Sequence, residues 1–252
     1  MAGVTGWTGA AVAEAIAAAR DLELRSGVSR SAAGSEIHGA PVFASAGEAL
    51  DGVDVMVDFT SHHVAKANAL TAIERGVAVV IGTSGLTAAD FEDIDAAARE
   101  RGVGVVAAGN FSVTAAMAQA AALLAARHLP SWEVIDYASA GKADAPSGTA
   151  RELAERLGQV RAPAVERSLA DTAGAVQARG ATIGGAQVHS LRLPSFTVST
   201  EVVFGLPDER LSIRHDAGSS AAPYVGGTLL AARAAPARVG LVRGLDTLLL
   251  EP

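Results

Sequence analysis

Short apolar runs alternate with helix-like stretches through the first 110 residues. Residues 53–60, 77–81 and 103–109 are valine-rich and have the length of buried strands. A helical stretch covers residues 61–76, and Thr87 with Asp90 has the pattern of a capping box at the start of another helix. Strands that alternate with helices predict a parallel sheet with right-handed crossovers, as in a Rossmann-like α/β domain.

The pattern changes after residue 130. Residues 133–137, 189–193, 196–204 and 211–215 alternate apolar and polar positions, which predicts half-buried, largely antiparallel strands in a second, α+β domain with a mixed sheet. Residues 224–250 return to helix and strand and are expected to fold back onto the first domain. The predicted domains are 1–110 with 222–252, for dinucleotide binding, and 111–221, for substrate binding and oligomerisation.

A glycine-rich loop opens the chain just before an alanine-rich helix. Its spacing suits a tight turn, a bare backbone for a pyrophosphate and a close helix contact. Such a loop normally follows a buried strand, yet only two residues precede Gly3. We therefore expect the first strand to be missing, which would leave an unpaired edge in the middle of the sheet. The predicted pyrophosphate loop comprises Gly3, Thr5, Gly6, Trp7, Thr8 and Gly9.

A predicted second strand, residues 22–30, ends in Ser29-Arg30. Many dinucleotide-binding domains carry an acid there that binds the ribose diol, whereas an arginine suits a 2′-phosphate. Arg30 thus predicts NADPH as cofactor, with NADH possible; the alternative is a solvated loop arginine. Because ligands bind beyond the carboxyl ends of parallel strands, the other loops at that edge are predicted to bind the cofactor too. They contribute Phe59, Thr60, Gly82, Thr83, Ser84, Asn110 and Phe111.

The stretch from Lys142 to Ala150 has the pattern of an anion site. Pro146 favours an extended approach, and Ser147 has the side chain of a helix N-cap. The helix that follows would point unpaired N–H groups and its positive end at a carboxylate or phosphate. Lys142 can add a positive charge or a proton. The alternative is an ordinary capped surface helix with a chance lysine.

Composition narrows the range of functions. The 252 residues carry a net charge of −7 and only 4% aromatic residues, which disfavours nucleic-acid binding. The absence of cysteine excludes disulfides, thiolate metal sites and cysteine nucleophiles, and no metal site is predicted. The apolar run at residues 115–126 is too short to span a membrane. These features predict a soluble, cytoplasmic protein.

Taken together, these motifs resemble the dihydrodipicolinate reductase family. The match rests on the glycine loop, Asp58-Phe59-Thr60, Gly82-Thr83-Ser84-Gly85, Asn110-Phe111-Ser112 and above all the Lys142–Ala150 block. Residues 188–194, 201–205 and 211–216 look like the actinobacterial branch of that family. The resemblance implies NADPH- or NADH-dependent reduction of a cyclic imine-type carboxylate in lysine and diaminopimelate biosynthesis by a homotetramer. It also implies that Lys142 donates a proton and that Ser147, Gly148 and Thr149 hold a substrate carboxylate.

One departure bears on the substrate. The family pattern Glu-x-His-His-x-x-Lys ends at Lys142, but Ala138 and Ser139 occupy both histidine positions. Ser139 can still offer a hydroxyl to the substrate. We therefore expect weak activity on the lysine-pathway dicarboxylate and better activity on a smaller or less polar cyclic imine. The alternative is a non-catalytic, NADP-binding regulatory protein that kept the fold.

Overall fold

The computed structural model describes residues 1–250, which form two compact units. Unit 1 comprises residues 1–113 and the chain from residue 220 onward, and unit 2 comprises residues 114–219. The helices are α1 Trp7–Ala18, α2 His62–Glu74, α3 Ala88–Arg101, α4 Val113–Ala126, α5 Gly148–Val160, α6 Ala222–Ala234 and α7 Leu245–Leu250. The strands are β1 Gly27–Val28, β2 Glu36–Ile37, β3 Ala40–Phe43, β4 Val55–Asp58, β5 Ala78–Ile81, β6 Gly104–Ala107, β7 Ser131–Ala138, β8 Ala181–Ile183, β9 Ala186–Arg192, β10 Val198–Leu206, β11 Glu209–Ala217 and β12 Gly240–Arg243.

Unit 1 is organised around a parallel sheet in the order β12-β6-β5-β4. Every residue of β5 and β6 is buried, as expected for strands covered on both faces. The helices α2 and α3 provide the crossovers, and α3 begins with the predicted capping box between Thr87 and Asp90. The C-terminal β12 pairs with β6, so the last part of the chain does return to the first sheet.

The start of the chain lies between β1 and β4. Ala2 forms parallel bridges to both Val28 and Asp58. The Met1 ammonium donates a 2.8 Å hydrogen bond to the Ser26 carbonyl, and burial lowers its pKa to about 6. Within residues 1–250, no regular strand forms at this position. The prediction of an unpaired edge in the middle of the sheet is nevertheless wrong, because Ala2 is paired on both sides.

The region after α1 differs from the sequence prediction. Only Gly27 and Val28 of the predicted strand at residues 22–30 are paired, with the parallel strand β3. The antiparallel hairpin of β2 and β3 was not predicted. Its two turn residues, His38 and Gly39, have φ values of 51° and 78°, the left-handed backbone typical of a two-residue hairpin turn.

Unit 2 is organised around a five-stranded sheet in the order β11-β10-β7-β9-β8. Most neighbours are antiparallel, as predicted, but β7 and β9 are parallel, so the prediction of an antiparallel β9 holds only for its pairing with β8. One face of the sheet packs against α4 and α5. That core includes Ala122, Trp132, Val134, Leu153, Leu157, Val202 and Phe204.

Strand β7 alternates between half-buried and buried positions along its whole length. Val134, Asp136 and Ala138 point to the face that α5 covers, and Asp136 is the fully buried acid in that row. Among residues 1–250, no helix combines the length and apolar content that a membrane crossing requires.

Candidate active site

The glycine loop of unit 1 makes the tight turn that a dinucleotide needs. Gly3 has a φ of 77°, and its carbonyl accepts a 2.9 Å hydrogen bond from the Gly6 N–H. A Cβ on Gly9 would overlap the Gly3 carbonyl, and a Cβ on Gly3 would overlap the Phe59 carbonyl. Helix α1 starts directly after Gly6 without a side-chain cap. The backbone therefore leaves a bare helix N-terminus at which a pyrophosphate fits.

The end of β1 carries a small cluster of hydroxyls. The Thr5 and Ser29 hydroxyl oxygens are 2.9 Å apart, and those of Ser29 and Ser31 are 3.2 Å apart. Arg30 lies exposed between the two serines. The structure thus brings Thr5 of the glycine loop next to Arg30, with donors and one positive charge near a position that suits a phosphate.

The buried Asp58 connects two of the predicted cofactor loops. Its Oδ1 accepts hydrogen bonds from the Thr60 N–H at 2.9 Å, the Thr60 hydroxyl at 2.6 Å and the Thr83 hydroxyl at 2.7 Å. Its Oδ2 accepts from the Asn68 amide at 2.8 Å. Asp58 therefore fixes the loops that follow β4 and β5 against each other.

Aromatic packing adds the loop after β6. The rings of Phe59 and Phe111 meet edge to face, with centroids 5.8 Å apart. A Cβ on Gly82 would overlap the Phe59 ring, so only glycine allows this approach. The Asn110 side-chain oxygen accepts from the Ser112 N–H at 2.8 Å and shapes the same loop.

The remaining predicted cofactor residues lie at the rim of these loops. Trp7 is exposed and packs edge to face on Tyr224, at 5.8 Å between centroids. Ser84 is exposed, and Thr8 is partly buried in the first turn of α1. No group of three or more metal-ligating side chains is found in the described part of the chain.

In unit 2, Lys142 follows β7 in a tight turn. Its N–H donates to the Ser139 carbonyl at 3.0 Å, and its ammonium pairs with Asp144 Oδ1 at 2.7 Å. The Lys142 side chain is 25% exposed and that of Asp144 is 32% exposed, so the ion pair is partly sheltered from water. The lysine is thus held in a defined place and remains reachable.

The buried Asp136 organises the start of α5. It accepts hydrogen bonds from the Ser147 N–H at 2.9 Å, the Ser147 hydroxyl at 2.6 Å and the Ser190 hydroxyl at 3.1 Å. Arg192 pairs with the same carboxylate at 2.8 Å. A fully buried acid thus ties the end of β7 to the start of α5 and to the end of β9.

Ser147 is the N-cap of α5, as predicted, because its hydroxyl accepts from the Ala150 N–H. That hydroxyl also donates to Asp136, and Ser147 is only 2% exposed. Ser147 therefore fixes the backbone of the predicted anion site, at the start of α5, from its buried side. Gly148 and Thr149 are partly exposed in the first turn of the helix, at the positive end of its dipole.

The two positions that carry histidines in the family pattern differ in their surroundings. Ala138 is fully buried, between Val198 of β10 and Arg192 of β9. Ser139 is partly buried and lies in the turn before Lys142. Position 138 therefore has no room for an imidazole unless its neighbours move.

A small cavity of about 20 Å³ lies beside Thr149. Thr200, Gln119 and His215 also line it. The His215 ring lies 3.0 Å from the Thr114 hydroxyl, and burial lowers the pKa of His215 below its usual value of 6.5. The cavity thus places a histidine that stays neutral near physiological pH close to the predicted carboxylate site.

Sequence reasoning missed the buried residues that hold these loops. Asp58 and Arg192 belong to stretches that carry the family resemblance, and Asp136 stands at the acid position of the Glu-x-His-His-x-x-Lys pattern, but the sequence assigns no structural role to any of the three. An acid among apolar residues at the end of a core strand was the one available signal, because such an acid needs several donors. Nothing in the local pattern pointed to Arg192.

Two family models match this chain. "Dihydrodipicolinate reductase, N-terminus" matches residues 1–111, and "Dihydrodipicolinate reductase, C-terminus" matches residues 109–249. The 4-hydroxy-tetrahydrodipicolinate reductase of Streptococcus suis is 36% identical over 250 residues, which cover 99% of this chain and 98% of that protein. The Streptococcus gordonii enzyme of the same name is 37% identical over 252 residues, with the same coverage.

Solved structures agree on the fold. The dipicolinate-bound dihydrodipicolinate reductase from Paenisporosarcina sp. TG-14 superposes with a TM-score of 0.76 at 25% identity, covering 98% of this chain and 97% of that one. GenD2 from gentamicin A biosynthesis, in complex with NAD, has a TM-score of 0.64 at 18% identity and covers 98% and 88% of the two chains. This second likeness concerns the fold alone.

Proposed function

Since this chain belongs to the dihydrodipicolinate reductase family, we propose that it reduces a cyclic imine carboxylate with Lys142 as the proton donor. Membership makes it an NAD(P)H-dependent oxidoreductase acting on a cyclic imine-type substrate, so the alternative of a non-catalytic regulatory protein is set aside. The observation that carries the residue assignment is the sheltered Lys142–Asp144 pair beside the capped N-terminus of α5.

The cofactor residues of unit 1 fit a dinucleotide. A Cβ on Gly3 or Gly9 would overlap a backbone carbonyl, so glycine at both positions permits the tight turn that leaves bare backbone for a pyrophosphate. We assign the adenosine end to Arg30 and the hydroxyl cluster of Thr5 and Ser29. The loops joined by Asp58 would then receive the nicotinamide. When bound, the reduced nicotinamide supplies the hydride.

The substrate residues of unit 2 have separate tasks. The first turn of α5, at Gly148 and Thr149, binds the carboxylate through N–H groups and the helix dipole. Lys142 donates the proton that accompanies hydride addition. Ser139 offers one hydroxyl on the side where the family has imidazole rings. The loss of those donors supports a substrate that is smaller or less polar on that side.

The test of this function is steady-state kinetics with 4-hydroxy-tetrahydrodipicolinate beside a monocarboxylate cyclic imine. Lys142 and Lys66 are the two lysines of the chain, which gives a matched pair of variants. We expect Lys142→Met to abolish turnover of both substrates and Lys66→Met, on the outer side of α2, to retain it. Undiminished turnover by Lys142→Met would contradict the assignment. A kcat/KM on the dicarboxylate above that on the monocarboxylate would contradict the altered preference.

We also propose that the protein is a homotetramer assembled through unit 2. The outer face of its sheet carries Ile135 and Val203 in an open groove, next to the ion pairs that Glu133 makes with Arg179 and His189. Such a face suits a second copy of the chain. Light scattering at micromolar concentration should give the mass of four chains, and a monomer would contradict this assembly.

A further inference from the structure

Three segments that are far apart in the sequence meet at Arg192, the last residue of β9. One is the end of β7, at Asp136; the second is the turn that carries Lys142 and Asp144; the third is the start of α5. The Asp144 carbonyl and the Asp136 carboxylate both accept from Arg192, and Asp136 also accepts from Ser147, so a chain of contacts links the turn that carries Lys142 to the start of α5.

The guanidinium of Arg192 donates to three acceptors. Its Nη2 donates to Asp136 Oδ2 at 2.8 Å and to the Asp144 carbonyl at 2.6 Å. Its Nη1 donates to the Leu191 carbonyl at 2.8 Å, which fixes the plane of the group. A lysine at this position could reach one of these acceptors but could not reproduce the planar set of donors.

Charge explains why the contact with Asp136 matters. Asp136 is 0% exposed, and Arg192 is the cation that pairs with it. A buried carboxylate without a cation is costly, so its surroundings rearrange to relieve the unpaired charge. Loss of the guanidinium would therefore disturb the contacts by which Asp136 holds the N–H and the hydroxyl of Ser147, and the start of α5 would lose its anchor.

The contact with Asp144 matters for the lysine. Asp144 Oδ1 holds the Lys142 ammonium at 2.7 Å, and Arg192 holds the backbone of that same aspartate. We propose that Arg192 is a positioning residue of the reductase, whose guanidinium fixes both the N-terminus of α5 and the Asp144 that orients Lys142. This inference rests on the proposed function of Lys142 and α5. Arg192 need not touch the substrate.

Kinetics of Arg192→Met and Arg192→Lys give the first test. We expect Arg192→Met to lower kcat/KM for the imine by roughly tenfold or more, through both kcat and KM, because proton donor and carboxylate site move together. Arg192→Lys should recover part of this loss. Affinity for NADPH should stay unchanged, since the predicted cofactor residues belong to unit 1. The matched control is Arg233→Met, which removes an exposed arginine of unit 1 that also pairs with an acid, Asp21, and lies outside both the proposed site residues and the proposed interface.

A second readout separates positioning from a general loss of stability. The protein has three amines, those of Lys142, Lys66 and Met1, so ¹³C-dimethylation gives one NMR signal for each lysine beside that of the Met1 α-amine, and Lys142→Met and Lys66→Met assign the two lysine signals. We expect the Lys142 signal to shift or broaden in Arg192→Met and the Lys66 signal to stay in place. Arg233→Met should leave both signals unchanged.

Each outcome decides the proposal. An unchanged Lys142 signal with kcat/KM within twofold of the parent protein would overturn it. If Arg192→Met does not fold, Arg192→Lys carries the same two measurements, because it retains the charge and loses the shared planar contact. Retained turnover in Lys142→Met would refute the proposed function instead, while the response of the Lys142 signal to Arg192 would still decide whether the arginine positions that segment.

Discussion

Asp58 in unit 1 and Asp136 in unit 2 are both fully buried carboxylates near the end of a core strand, yet they are stabilised differently. The hydrogen bonds to Asp58 all come from uncharged groups, on Thr60, Thr83 and Asn68. Asp136 has uncharged donors and also the guanidinium of Arg192. The difference shows two ways to fix a loop of the site around a buried negative charge.

The two units also use their arginines differently. Arg192 forms an ion pair with Asp136 of the same chain, whereas Arg30 lies exposed beside Ser29 and Ser31. An exposed arginine flanked by hydroxyls is free to bind an external phosphate at little cost in stability. We therefore expect changes in unit 2 to affect stability and substrate together, and changes at Arg30 to affect the cofactor alone.

The largest expected effect is at the charged pair of unit 2. Asp136→Asn leaves the Arg192 guanidinium partly buried without its counter-charge, which should lower the free energy of unfolding by about 3–5 kcal/mol. Adding Arg192→Met removes the stranded charge and should restore much of that loss. Urea unfolding of the two single variants and the double variant gives the coupling energy, and additive losses would contradict a direct pairing.

Only part of this difference between Asp58 and Asp136 could be predicted from the sequence. The N-cap at Ser147 was predictable because Pro146 and the helical spacing after it are local features. The family motifs likewise single out Lys142, whose role stays a prediction. The partner of Asp136 was not predictable. Arg192 lies 56 residues further along the chain and meets Asp136 only because β9 pairs with β7 in the sheet.

Two further differences between the prediction and the structure concern strand pairing. An alternating pattern shows which face of a strand is buried but not whether its neighbour is parallel, so the parallel pairing of β7 with β9 was missed. The pairing of Ala2 on both sides was missed for a related reason, since an isolated bridge leaves no periodic pattern.

The next effect concerns Arg30. If the guanidinium binds a 2′-phosphate, Arg30→Ala should weaken NADPH binding by about 1.5–3 kcal/mol and leave NADH binding and the free energy of unfolding unchanged. Arg25→Ala, a change at another exposed arginine nearby, serves as control. Titration of nicotinamide fluorescence measures both affinities. Equal affinities for the two cofactors in the parent protein would show that Arg30 does not select between them.

The smallest effect is expected at Asp58. In Asp58→Asn the side-chain oxygen can still accept from Thr60 and Thr83, and the new amide can donate to Asn68 once that amide turns its oxygen inward. The hydrogen bonds given above for Asp58 come from uncharged groups, so the substitution breaks no hydrogen-bonded ion pair and removes only the longer-range attraction between Asp58 and the buried Met1 ammonium. We therefore expect a loss of only about 1 kcal/mol in the free energy of unfolding, from weaker hydrogen bonds to a neutral acceptor.

Asp58→Asn should act mainly on the cofactor. Weaker contacts to Thr60 and Thr83 loosen the two loops assigned to the nicotinamide, so the Kd for NADPH should rise while the ¹³C signal of Lys142 in unit 2 stays in place. Asp136→Asn should do the reverse and move the Lys142 signal without changing the Kd. A loss of stability in Asp58→Asn as large as that in Asp136→Asn would mean that the directly bonded cation, which Asp136 has in Arg192, does not govern how the two sites respond.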